Sequence, residues 1–151
     1  MLTHRPAAPA DAPLIAHHRQ QMFADSGQAG VEAMQSMAAN FVAWVAPRLA
    51  DGRYLGWLFE DAGQVVAGAG MWLIDFPPHW MDPEPVRAYL LNFYVEPSHR
   101  GQGLAQQMLD LAVDEARRRG IRVVSLHAST MGRPIYERNG FEPTNEMMLR
   151  C

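Results

Sequence analysis

Apolar and polar residues recur along this chain with two different periods, and each change of period marks an element. Tyr54 to Glu60 and Gln64 to Ile74 are apolar runs joined by Asp61-Ala62-Gly63, a compact hairpin signal, and they predict two strands. Gly68 and Gly70 inside the second run point to a bulge, or to something lying close against the backbone. Arg87 to Val95 predicts a further strand, stopped by Pro97. Leu104, Met108, Leu111 and Ala112, flanked by Ala105, Leu109, Val113 and Ala116, then form one apolar stripe at helical spacing. That helix closes on Arg117-Arg118-Arg119-Gly120, cations in the last turn and a glycine to stop it.

The flanking segments complete the pattern. Leu2 to Arg5 predicts a short first strand. Pro6, Pro9 and Pro13 punctuate the entry to a first helix, with Asp11 as its cap; it runs to about Phe23 and is broken by Ser26-Gly27 and Gly30. A second helix carries Met34, Ala38, Phe41, Val42, Val45 and Leu49 on one face and ends at Pro47 and Asp51-Gly52. Asp75 to Pro85 is too rich in proline for helix or strand, and ordered loops of that length are often functional. Ile121 to about His127 predicts a strand, Tyr136 lies in a short helix, and Phe141 to about Leu149 predicts a last strand. The expected architecture is one α/β domain over residues 1–151, a mixed, twisted sheet of six or seven strands with helices on both faces.

The junction from Val95 to Ala105 carries the chemistry. Strand, glycine turn and helix follow one another there, which gathers backbone N–H groups at the positive end of a helix, a place that binds phosphate. Gly101 and Gly103 allow unusual dihedrals and close approach of a ligand. Arg100 adds a fixed charge and a fork of donors. The first helical turn holds Gln106 and Gln107 in place of the carboxylates that usually neutralise a helix dipole, so it is left free for an external anion.

Spacing separates the phosphate-binding patterns. A Walker loop needs Gly-Lys followed by Ser or Thr, which is missing. A dinucleotide turn needs a third glycine and an acid on the next strand, and Ile121 to His127 has no acid. Arg100-x-x-Gly103-x-Ala105 after a strand ending in Val95 resembles the acetyl-coenzyme A signature of the GCN5-related N-acetyltransferases (GNAT). Gly132-Arg133-Pro134-Ile135-Tyr136-Glu137-Arg138-Asn139-Gly140-Phe141 is similar to that family's short tyrosine helix and the Gly-Phe after it. Thr3 to Ala7 with Asp11 is similar to its first strand and helix. The likeness spans essentially the whole chain.

The resemblance implies a GNAT-like acyl-CoA N-acyltransferase fold whose middle strands splay to admit the pantetheine arm of acetyl-CoA, used as co-substrate. It implies that Arg100, Gly101 and the amides of Gln102, Gly103, Leu104 and Ala105 anchor the pyrophosphate, and that Phe93 pairs with the pantetheine like an added strand. It implies that the Val95 N–H polarises the thioester carbonyl and that Tyr136 protonates the departing thiolate. Ser129 stands where the family often places an asparagine that contacts the cofactor. Tyr136 also fits a second role, an amphipathic ring closing the core beside Phe141.

An alkyl amine, of pKa ~10, must lose a proton before it attacks. Counting back from Val95 by twos brings Phe93, Leu91 and Tyr89 to the substrate side; none is a base, although Tyr89 could orient a water. Asp75, His79, Asp82, Glu84, Glu32 and Glu60 are alternatives with no motif to choose among them, and Trp80 is a candidate cover for the acceptor pocket.

Composition narrows the rest. A formal charge of −3 argues against a nucleic-acid backbone binder. The single cysteine, Cys151, sits at the last position, a poor place for a covalent acetyl intermediate, so direct transfer in a ternary complex is expected. With neither a signal peptide nor an apolar run of ~18 residues, a cytoplasmic protein that does not enter membranes is expected. The acceptor is expected to be a small-molecule or peptide amine, no metal ligands are paired, and a homodimer fits the strand edges and C-terminal region. A non-catalytic acyl-CoA sensor is the rival reading; it shares the phosphate turn but does not need Tyr136.

Overall fold

Five strands lie side by side in chain order: β1 (Leu2–Pro6), β2 (Tyr54–Asp61), β3 (Gln64–Asp75), β4 (Val86–Val95) and β5 (Val124–Leu126). The computed structural model describes every residue except residue 28. The first four strands pair antiparallel, and β5 pairs parallel to β4 because α3 (Leu104–Arg118) crosses back over the sheet between them. This is the mixed sheet with helices on both faces that the pattern predicts. No helix of the described residues is long and apolar enough to cross a membrane.

Each face of the sheet has its own core. Tyr54 of β2 packs with Ala12, Ile15 and Ala16 of α1 (Ala12–Ser26) and Phe41 and Val45 of α2 (Val31–Asp51), with Trp72 and Leu91 at the margin. On the other face, Met71, Ala88 and Leu90 meet Leu109, Ala112 and Ala116 of α3, while Phe59, Ala67 and Ala69 meet Leu104 and Met108. The α3 stripe read from its periodicity is therefore the buried face. Gly68 and Gly70 point toward α1 and α2, and their lack of side chains makes room for two rings. A β-carbon at Gly68 would lie 3.0 Å from His18 Nδ1, and one at Gly70 would run into the Tyr54 hydroxyl.

Three expectations are corrected. First, the segment from Phe141 forms no strand among the described residues, so the sheet has five strands rather than six or seven. Pro143 cannot donate to a ladder, and Met147, Met148 and Leu149 are 93%, 77% and 86% exposed, so no buried face fixes a register. Second, β5 shrinks to Val124–Leu126, because the Arg122 N–H is drawn off the sheet to Asp82 Oδ2 at 3.0 Å. Third, Pro47 does not end α2: it lies inside the last turns, the packing of Phe41 and Val45 carries the helix past it, and Gly52 at φ +84° stops it. In the proline-rich loop, His79 and Asp82 bridge to each other, and the Arg122 and Glu84 amides hold the Asp82 carboxyl below the usual carboxylate range. Trp80 is 88% exposed.

Candidate active site

Pairing between β4 and β5 stops at Leu90 and Leu126, so the strands part beyond that point and leave one edge of Leu91–Val95 without a neighbour. A bulge decides what this edge presents. Gly68 pairs with Tyr94 and Gly70 with Leu91, so a single β3 residue opposes Asn92 and Phe93. Asn92 takes the extra turn at φ +60°, a conformation that asparagine tolerates better than most residues. Its amide Nδ2 donates to the Tyr54 hydroxyl at 2.9 Å, and its Oδ1 accepts from Arg19 Nη1 at 2.9 Å. Before the bulge, the Ala88 N–H points to β5 and reaches Val123 O at 3.3 Å; after it, the Glu96 N–H points to β3 and reaches Val66 O at 2.8 Å. By alternation, the Phe93 and Val95 N–H groups face the open edge.

The same slip corrects the count by twos. Tyr89 and Leu91 face α1 and α2, but Phe93 and Val95 face α3, where Phe93 packs against Tyr136. The signal that could have located the slip is Asn92 itself, a polar residue inside an apolar strand.

The turn after β4 is built as expected at the backbone. Gly101 and Gly103 lie at φ +76° and +80°, and a β-carbon at either would meet nothing within 4 Å, so they are glycines for their backbone conformation and the space above them is open. Gly103 is the N-cap of α3, with no side-chain cap and no acid in the first turn. The N–H groups of Leu104, Ala105 and Gln106 are therefore presented without internal acceptors, at the positive end of the dipole. Gln102 sits between the two glycines and is exposed.

Two side chains do more than was expected of them. Arg100 donates from Nε to the Val95 carbonyl at 2.8 Å and from Nη2 to Asp25 Oδ2 at 2.9 Å, tying the end of α1 to the turn. Part of its fork is thus occupied by the fold. Ser129 Oγ accepts from the Gly132 N–H at 3.0 Å and organises the entry to α4 (Arg133–Arg138), leaving its own O–H as a donor.

Tyr136 projects from α4 between Phe93 and Phe141, with ring centroids 6.1 and 5.7 Å away. Burial raises its pKa to about 12, so the phenol remains protonated across the neutral range. The two roles open for this residue are compatible, because the ring packs and the hydroxyl stays protonated.

On the opposite face the structure assembles a group that sequence reasoning missed. Tyr89 pairs with Ser125 across β4 and β5, so His127, two residues farther on, reaches the same face. The Tyr89 hydroxyl shares a hydrogen bond with His127 Nδ1, and His127 Nε2 shares one with Glu146. Burial raises the Tyr89 pKa, and Arg19 opposes that rise. The three residues lie up to 57 positions apart and carry no common motif; only the parallel pairing of β5 and the return of the C-terminal segment bring them together. Asp75, His79, Asp82, Glu84, Glu32 and Glu60, the other base candidates, have no part in this group; Glu60 instead accepts from Arg5 Nε at 2.5 Å.

Known proteins place this geometry. A protein from Ralstonia eutropha JMP134 described as a GCN5-related N-acetyltransferase has a crystal structure that superposes with a TM-score of 0.95 at 39% identity, over 100% of this chain and 99% of that one. A predicted acetyltransferase from Clostridium acetobutylicum, crystallised with acetyl-CoA, superposes with a TM-score of 0.88 at 32% identity, over 100% and 96% of the two chains. The mycothiol acetyltransferase of Beutenbergia cavernae is 31% identical over 90 residues, 58% of this chain but 28% of that protein. The chain thus spans well under half of that curated relative. The acetyltransferase (GNAT) family model matches residues 17–141, taking in the bulged strand, the glycine turn and Tyr136, and the chain belongs to that family.

Proposed function

We propose that this protein is an acetyl-CoA-dependent N-acetyltransferase that acts on a primary amine by direct transfer in a ternary complex. The observation that carries the reading is the open edge of β4: two unpaired amides, an uncapped helix N-terminus and a protonated phenol converge on it. Bound there, acetyl-CoA supplies an activated acyl group and a thiolate leaving group. The amides of Gly101, Gln102, Gly103, Leu104 and Ala105, with the donors left on Arg100 and the Ser129 hydroxyl, suit its phosphates and linker. Phe93 offers its backbone as a strand partner to the pantetheine. The Val95 N–H is aimed where charge develops on the carbonyl oxygen, an interaction worth ~3–4 kcal/mol where such donors have been removed elsewhere.

Proton transfer is divided between the two faces. Tyr89 takes a proton from the acceptor ammonium as it passes its own to His127 Nδ1, and Glu146 steadies the imidazolium so formed. Tyr136 gives its proton to the departing sulfur. Over a cycle two protons leave the nitrogen: one balances the proton given to sulfur, and the other passes through His127 to solvent. The proposal includes a single catalytic domain over residues 1–151, a cytoplasmic setting, and a small-molecule or peptide acceptor rather than nucleic acid or membrane. It also includes a homodimer that covers Met147, Met148 and Leu149.

The test is thiol release from acetyl-CoA over a panel of amines. Tyr136→Phe and His127→Gln should each lower kcat by ~10²–10⁴-fold while acetyl-CoA affinity is kept. Saturable acetyl-CoA binding without turnover of any amine would instead mark a sensor.

A further inference from the structure

Arg19 is a half-buried charge on the acceptor face that the mechanism above leaves without a task. It projects from the middle of α1, its guanidinium 5.0 Å from the Phe23 ring centroid and 5.2 Å from that of Phe41. Nη1 donates to Asn92 Oδ1 at 2.9 Å, while Nε is buried with no hydrogen-bond partner. Among the described residues no carboxylate pairs with it; the charged or titratable groups that act on it are the hydroxyls of Tyr54 and Tyr89. Glu146, the carboxylate felt at Tyr89, is engaged by His127.

A guanidinium partly removed from water without a counter-charge is costly, and one neutral amide oxygen and two ring faces supply no formal negative charge. Desolvation lowers its pKa, as a partly buried cation without a counter-charge should show. The group therefore lacks an anion, and it lies on the same face as the Tyr89 hydroxyl that receives the acceptor's proton. We propose that Arg19 holds a carboxylate of the acceptor, so that the amine acetylated is an amino acid or another amine bearing one acidic group. This rests on the N-acetyltransferase reading above. A monoanion fits better than a phosphate, because a single guanidinium serves the site. Arg48, on α2, also has a buried Nε without a hydrogen-bond partner, but its guanidinium is turned back onto the Trp44 ring at 4.4 Å and donates to the Trp44 carbonyl. Asn92 gives the subsite its position: its bulged backbone sets the open edge, and its side chain fixes the guanidinium.

The experiment uses matched acceptors: a set of α-amino acids, their carboxamides and the corresponding amines lacking the carboxylate, with phosphoethanolamine as a dianion. Thiol release is measured with wild type, Arg19→Met and Arg19→Lys. Wild type should favour the amino acids by about 10- to 100-fold in kcat/KM, the range expected of a hydrogen-bonded charge pair. Arg19→Met should erase that preference through KM, with the carboxamides little changed, and Arg19→Lys should retain part of it. Equal use of all three amine types by wild type, preference for phosphoethanolamine, or an equal loss on every acceptor in Arg19→Met would overturn the proposal while leaving the acetyltransferase reading intact. If no amine is turned over, that reading fails separately, and calorimetry with N-acetyl amino acids in the presence of CoA decides the subsite. Binding lost in Arg19→Met supports it, and no binding to wild type overturns it.

Discussion

Replacing Gly103 by alanine separates the cost of a backbone conformation from the cost of blocking a ligand. Gly103 lies at φ +80° as the N-cap of α3, and a β-carbon there meets no protein atom within 4 Å. The folded protein therefore pays only for an L-residue in the left-handed region, ~1–2 kcal/mol. For a domain of this size that corresponds to a fall of about 2–8 °C in Tm. Gly120 makes a matched control: it lies at φ +76°, equally free of neighbours, at the far end of the same helix. Gly120→Ala should lose similar stability. If the turn holds the diphosphate of acetyl-CoA against its amides, the methyl group at position 103 intrudes on the ligand and the one at position 120 does not. Isothermal calorimetry should then show acetyl-CoA binding weakened at least ~10-fold in Gly103→Ala, equivalent to about 1.4 kcal/mol, and unchanged in Gly120→Ala. Gly103→Asn, which keeps the left-handed conformation more easily, should recover Tm but not affinity. Equal dissociation constants for wild type and a folded Gly103→Ala, or equal losses in both alanine variants, would refute the placement of the phosphate.

Further expectations follow from the same geometry. Gln102→Glu adds a carboxylate just before α3, so it should stabilise the free protein by ~0.3–1 kcal/mol and yet weaken acetyl-CoA binding; denaturant melts and calorimetry should give these opposite signs. His18 is 2% exposed, and burial depresses its pKa from 6.5 to about 4. The unfolded chain binds this proton more readily, so stability is complete above pH 6.5 and falls as pH drops toward 4, by roughly 3 kcal/mol in all. His18→Leu should flatten urea midpoints over that window, and an unchanged slope would count against a neutral buried imidazole. Leu109, 1% exposed on the buried face of α3, should cost ~2–5 kcal/mol as alanine by the same melts. Sedimentation of wild type against Met147→Glu tests the dimer, which should dissociate when a charge replaces an exposed apolar side chain.

Local order was written plainly in this chain. Periodicity marked the α3 stripe, in which Leu104, Met108 and Ala112 with the flanking Leu109 and Ala116 are buried and Leu111 is half-buried. The sequence Asp61-Ala62-Gly63 gave the β2–β3 hairpin, and glycines at 101 and 103 gave a left-handed turn opening onto an uncapped helix. These features depend on residues a few positions apart, whose preferences a short stretch of sequence expresses by itself. What depended on distant partners was not legible. A single extra residue at Asn92 exchanges the faces of everything after it in β4, and its hold on Tyr54 and Arg19 joins three elements. The expected strand after Phe141 failed because a strand needs a buried face to fix its register, and none was supplied. Tyr89, His127 and Glu146 meet only because β5 lies parallel to β4 and stops short, a consequence of crossover handedness and strand length that no spacing along the chain records.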